Sequence, residues 1–151
     1  MSRIQSGLAG DFLQGCERTG VLQFFPDGRK LRSGRESPYF IDIGNGSCGH
    51  KISFLAYYYA QKIRDLGEDI WSEAVLFGPA YKGIPLVAVI AQKLWDYHEI
   101  NIDFAFNRKE PKDHGEGGMV VGTPLSGRKI ILVDDVITDG KRLQIRVIVG
   151  R

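Results

Sequence analysis

The chain has 151 residues, 43% hydrophobic and 25% charged, the make-up of an ordinary folded domain rather than a disordered one. One substantial core is expected at this length, so residues 1–151 are read as a single domain. Its net charge of +2 is too small to argue for nucleic acid as a partner.

The membrane is disfavoured too. The longest apolar stretch, Ile84 to Ala91, is too short to span a bilayer. Met1-Ser2-Arg3-Ile4 lacks the apolar run of a signal peptide, and a cytoplasmic location is expected. Cys16 and Cys48 have neither metal nor redox spacing and read as reduced thiols, with Gly15 and Gly49 beside them suggesting loops or element ends.

In chain order, Ile4, Leu8 and Phe12 recur at helical spacing and predict a short opening helix ending near Gly15. Val21 to Phe25 and Tyr39 to Ile43 read as strands, with Pro26-Asp27-Gly28 as a turn signal between them. Ile52, Leu55, Ala56, Tyr59, Ile63 and Leu66 mark one helix face, which Gly67 stops. The tyrosines in that stretch read as core or interface residues. A short buried strand over Ala74 to Phe77 precedes a helix over Ile84 to Trp95, with Pro85 in its first turn, where a missing N–H costs nothing. A strand over Ile102 to Phe106, a polar loop and a strand from Ile130 complete the series. This alternation predicts an α/β fold with a parallel sheet flanked by helices.

Ile130 to Val133 is an apolar run that ends in the pair Asp134-Asp135. Ligands bind at the carboxyl ends of such strands, and amides at the start of a following helix favour anions. Carboxylates suit a diol, and bare amides suit a phosphate, which together describe a ribose 5-phosphate. The plainer alternative is that the aspartates cap the next helix. Lys82 lies in a turn bounded by Gly78 and Gly83, placed either to meet a phosphate or simply at the surface. Arg108, Lys109, Lys112 and His114 fall within seven residues and precede Gly115, Gly117 and Gly118, which suits a cationic flap that opens and closes. Interleaved Glu110, Asp113 and Glu116 equally describe a solvated mixed-charge loop.

The run from Ile130 to Gly140 resembles the phosphoribosyl-pyrophosphate signature of the type I phosphoribosyltransferases. Phe106 to Gly118, Phe77 to Pro85 and Leu31 to Phe40 resemble the catalytic loop, pyrophosphate loop and N-terminal substrate segment of the orotate phosphoribosyltransferases. The match is nearly continuous from about Gly20 to Gly140. It implies a type I phosphoribosyltransferase-like fold with a small N-terminal helix and strand hood. It also implies transfer of phosphoribosyl from 5-phosphoribosyl 1-diphosphate to orotate, giving orotidine 5-phosphate and diphosphate.

The resemblance assigns roles residue by residue. Arg108 and Lys109 would hold the diphosphate, Lys112 would stabilise charge on it, and His114 would assist phosphate binding or proton management. Lys82 would meet one phosphate, Arg32 and Tyr81 would contact substrate, and Phe40 and Ile41 the pyrimidine. Asp134 and Asp135 would orient the ribose, with Mg2+ held mainly by substrate and water and by these two carboxylates at most. Thr138, Asp139, Gly140 and Lys141 would receive the 5-phosphate, and Val136 and Ile137 would line the substrate. A homodimer is implied, because such a flap closes over the neighbouring subunit's site. No activated Ser or Cys nucleophile is visible, so orientation and charge stabilisation carry the chemistry.

Departures from the family pattern shape further expectations. Arg32 stands where lysine is usual, and Ile41 where a second aromatic is common. Asp139 and Lys141 replace small and hydroxyl residues, and Asp139 sets a negative charge beside the expected phosphate. Residues 141–151 do not match, so the family's C-terminal part, with its carboxylate-binding arginine, is expected to be missing. That would leave the Ile130 strand at a bare sheet edge and the chain weakly active and weakly stable. The other readings are a non-catalytic phosphoribosyl-pyrophosphate-binding module, an inactive fragment of the enzyme, and a purine phosphoribosyltransferase.

Overall fold

The computed structural model describes residues 7–31, 33–112, 118–134 and 146–149; residues 111, 112 and 146–149 are described by backbone alone. The described residues form two sheets and four helices in the order α1 (Leu8–Arg18), β1 (Leu22–Lys30), β2 (Glu36–Ile41), α2 (Gly49–Arg64), α3 (Glu68–Trp71), β3 (Ala74–Gly78), α4 (Gly83–His98), β4 (Asp103–Lys112), β5 (Gly118–Gly122), β6 (Lys129–Leu132) and β7 (Arg146–Val149). A short 3-10 turn, Ile43–Gly46, links β2 to α2.

The main sheet has the order β5-β4-β3-β6-β7. Its three central strands β4, β3 and β6 are parallel, as the alternating strand and helix pattern predicts. Both edge strands run antiparallel, a feature the sequence pattern did not anticipate. Along β3, Ala74 and Leu76 point into one core with Ile131 and Val133 beside them, sealed by Leu86, Val87, Ile90 and Leu94 of α4 and by Leu55, Ala56, Ala60 and Ile63 of α2. Alternation sends Val75 to the opposite face, where it too is buried. Arg128 ties the starts of the parallel strands together, donating to the Glu73 carbonyl at 3.2 Å and pairing with Asp103 at 3.2 Å.

Several local expectations are corrected. α1 does not end near Gly15 but runs on to Arg18, because Gly15 is a packing slot rather than a stop: a Cβ there would overlap the Phe54 ring. Cys16 accordingly lies buried inside a helix, while Cys48 is exposed at the start of α2. Pro26-Asp27-Gly28 does not reverse the chain. β1 continues through it with an irregularity between Phe24 and Arg29, and the reversal comes at Leu31 to Arg35, where Gly34 takes φ +82°. Within the predicted polar loop after Phe106, two stretches are instead strand: β4 extends to Lys112 and pairs with β5, matching Phe106 to Val121 and Asn107 to Val120. The β6 edge is not bare, since β7 pairs with it from Lys129↔Val149 to Leu132↔Arg146.

Candidate active site

β3, β4 and β6 are neighbours running the same way, so the segments leaving their carboxyl ends gather at one edge of the sheet. β3 and β6 end in register, Phe77 opposite Leu132, and the Val133 amide donates to the Phe77 carbonyl at 2.8 Å. The carbonyl of the next residue, half-buried Asp134, accepts the Tyr59 hydroxyl of α2 at 3.3 Å. Asp134 is therefore delivered to the sheet edge by a buried strand and held there from the helix side.

The loop between β3 and α4 is pinched shut. Gly78 and Gly83 stand so close that a Cβ on either would overlap the other's backbone. The Gly83 amide donates to the Pro79 carbonyl at 3.0 Å, and the Ala80–Tyr81 peptide bond is cis. Tyr81 and Lys82 lie exposed at its tip, and the first turn of the sixteen-residue α4 begins at once. The positive end of a helix of that length adds to the lysine charge as a place for an anion.

β4 brings the second cationic group. Arg108 is half-buried and donates through Nη1 to the Gly118 carbonyl at 3.3 Å, which staples β4 to β5. Lys109 extends over Tyr81, its Nζ 4.4 Å from the ring centroid. Between strand and loop, Asn107 accepts the Ala80 amide on Oδ1 at 2.9 Å and donates from Nδ2 to the Arg108 carbonyl at 3.1 Å. The Ala80 amide of this loop is thus engaged by Asn107.

Of the residues singled out in the sequence, Tyr81, Lys82, Arg108, Lys109 and Asp134 come together at this edge. Phe40 and Ile41 sit on β2 in the separate hairpin, where the Arg29 guanidinium covers Phe40 at 4.2 Å and Phe25 at 5.2 Å. Arg32, His114, Asp135, Val136, Ile137, Thr138, Asp139, Gly140 and Lys141 lie outside the described residues, and Lys112 is described by its backbone only. Asn107 and Tyr59 were missed as site-forming residues. For Asn107 a signal existed: asparagine is a poor strand former, yet it directly continues the strand run Ile102 to Phe106.

Away from the site, burial pushes the Cys16 thiol up to about 11, which keeps it neutral and unreactive at ordinary pH. Among the described residues no group of three or more His, Cys, Asp or Glu could hold a metal ion, and no helix is long and apolar enough to cross a membrane.

Compared with known proteins, residues 50–148 match the phosphoribosyl transferase domain. The chain belongs to that family. It is 47% identical over 134 residues to an orotate phosphoribosyltransferase of Pseudomonas aeruginosa, covering 89% of this chain and 60% of the relative. It is 49% identical over 114 residues to the Cronobacter sakazakii protein of the same name, covering 76% and 52%. The crystal structure of orotate phosphoribosyltransferase from Francisella tularensis shares 40% identity and superimposes with a TM-score of 0.70, covering 85% of this chain and 56% of that one. The chain thus spans between half and two thirds of the length of these phosphoribosyltransferase relatives.

Proposed function

We propose that this phosphoribosyltransferase domain serves orotate phosphoribosyl transfer, the joining of pyrimidine and sugar phosphate in pyrimidine nucleotide biosynthesis. A ring nitrogen of orotate forms a bond to the anomeric carbon as the bond from that carbon to the diphosphate oxygen breaks. The electron pair leaves on diphosphate, and the proton of that ring nitrogen passes to diphosphate or to solvent. The observation that carries the reading is the meeting of Tyr81 and Lys82 from one strand end with Lys109 from the next, at 4.4 Å between Lys109 and the Tyr81 ring. Two lysines and a helix N-terminus converge on one loop, which is the arrangement a departing diphosphate needs.

Asp134 is the ribose-facing carboxylate of this reading, placed one strand away from the diphosphate loop. Mg2+ suits a carboxylate in this position, because it keeps its waters and takes most of its remaining oxygens from substrate phosphates. When bound, that ion would neutralise charge on the diphosphate. Arg108, Lys109 and Lys112 act on the same charge from β4, and Lys82 from the loop. A homodimer and a cytoplasmic setting belong to this reading; reduced thiols and the family resemblance support them, and sedimentation equilibrium tests the dimer.

The test is calorimetry of the 151-residue chain with phosphoribosyl pyrophosphate, with and without Mg2+, followed by an assay for orotate-dependent diphosphate release. Saturable Mg2+-dependent binding and a preference for orotate over purine bases are expected. Where release is measurable, Lys112→Ala is expected to lower turnover about a hundredfold with the fold intact, because the resemblance makes Lys112 a donor to the charge developing on diphosphate. No binding of phosphoribosyl pyrophosphate, or equal use of a purine base, would overturn the reading.

A further inference from the structure

We propose that Asn107 is a positioning residue that straps the diphosphate loop to the root of the flap strand; its ligand role rests on the proposed phosphoribosyl transfer. The side chain spans two segments that are far apart in sequence. Its Oδ1 holds the Ala80 amide at 2.9 Å, and its Nδ2 holds the Arg108 carbonyl at 3.1 Å. The first bond fixes the backbone on the N-terminal side of Tyr81 and Lys82. The second fixes the backbone at which Arg108 and Lys109 leave the ladder.

The placement of Asn107 in the sheet explains why a short amide suffices. Phe106 is the last β4 residue paired with β3, opposite Gly78, so Asn107 is the first β4 residue past the end of β3. At that point the neighbouring strand has turned away into the loop, and the side chain occupies the space where a third strand would otherwise supply backbone partners. On its other side β4 remains paired, Asn107 opposite Val120. The ladder then breaks into an irregularity before Lys112 meets Gly118. Asn107 thus marks the boundary between the regular sheet and the part of the hairpin that carries Arg108 and Lys109.

The Lys109–Tyr81 contact is a consequence of the same strap. Lys109 reaches the ring at 4.4 Å only while the loop and β4 keep their spacing, and Tyr81 is 65% exposed, so little else holds it. Releasing the Ala80 amide would let the Tyr81–Lys82 tip drift relative to Arg108 and Lys109. Ligands that need both cationic groups would lose affinity, whereas a ligand of the neighbouring strand end at Asp134 would not.

The test compares Asn107→Ala and Asn107→Asp in the full 151-residue chain. Hydrogen exchange at the Ala80 amide is read by NMR, and calorimetry follows magnesium diphosphate and ribose 5-phosphate separately. For Asn107→Ala, Ala80 protection and diphosphate affinity are each expected to fall about three- to tenfold, with ribose 5-phosphate affinity unchanged. Asn107→Asp keeps the acceptor and should keep the Ala80 protection; its added charge makes diphosphate affinity uninformative for that variant. Should Asn107→Ala fail to fold, Asn107→Thr, a better strand former without the reach to Ala80, carries the same expectation. Unchanged Ala80 exchange, or equal loss of both ligands, would overturn the strap. Wild-type chain that binds neither ligand would overturn the phosphoribosyl reading and the ligand role with it, while Ala80 exchange alone would still decide the positioning.

Discussion

The β3–β6 pair and the β1–β2 pair are both strand ladders, yet one is scaffold and the other is surface. In β3 and β6, Leu76 and Ile131 are wholly buried beneath two helices, and Val75 is wholly buried on the opposite face. In the hairpin, Phe24 is 59% exposed and Tyr39 49% exposed, and the main apolar anchorage lies at its base, at Val21 and Leu22 beneath α1. Backbone pairing by itself does not distinguish the two; the cover on the side chains does. A two-stranded ribbon is marginal in water unless something packs against it. The proposed Lys82 and Asp134 contacts therefore stand at the ends of the buried pair, and the proposed pyrimidine contacts Phe40 and Ile41 on the exposed one.

The sharpest way to break this contrast is Leu76→Ala against Phe24→Ala in urea unfolding. Emptying the Leu76 site should cost about 3 kcal/mol from lost burial and the cavity left behind. Phe24→Ala should cost under about 1 kcal/mol, as exposed changes do. Costs of similar size would show that the hairpin is as much a part of the core as β3.

A finer test concerns what does hold the hairpin. Arg29→Ala removes the guanidinium that spans Phe25 and Phe40 and should cost about 0.5–1 kcal/mol, the worth of an exposed cation–π contact. Phe40 fluorescence is too weak to follow, so amide exchange across β2 is the measurement. Unaltered exchange there would mean the ladder and its turn suffice without Arg29.

The smallest effect lies on the helical side of the core, at His98 in the last turn of α4. Burial, and then the nearby Arg64 charge, lower its pKa below the ordinary 6.5, and its buried Nε2 has no hydrogen-bond partner. The unfolded chain therefore takes up the proton first as pH falls. Stability from this group is complete above about pH 6.5 and declines as pH drops through the lowered value. Urea midpoints of wild type and His98→Gln between pH 5 and 8 should diverge in that direction; parallel curves would remove His98 from the account.

Much of the scaffold was legible because its residues follow strong periodic patterns. Ala74 to Phe77 and the helix behind it were placed within a few residues, and Pro85 does lie in the first turn of α4. Lys82 and Asp134 were legible as strand-end residues for the same reason. What was not legible depended on partners distant in sequence. Gly15 reads as a helix stop until the Phe54 ring is seen against it. Pro26-Asp27-Gly28 reads as a turn until the partner strand shows that β1 carries on past it. Arg108 to Lys112 read as a polar loop, since exposed strands with mixed charge show no apolar alternation.

By itself, the sequence determined the parallel centre of the sheet, the order of its elements and the chemical character of the strand ends, because burial imposes apolar runs and ligands demand charge and glycine. Only the tertiary structure decided that Asn107 reaches Ala80, that Tyr59 supports Asp134, and that the cationic segment is a strand arm lying over Tyr81. Those relations link residues 27, 75 and 28 positions apart. A single side chain that bridges such a gap leaves no periodic trace along the chain, and it acquires its role only when the sheet brings the two segments together.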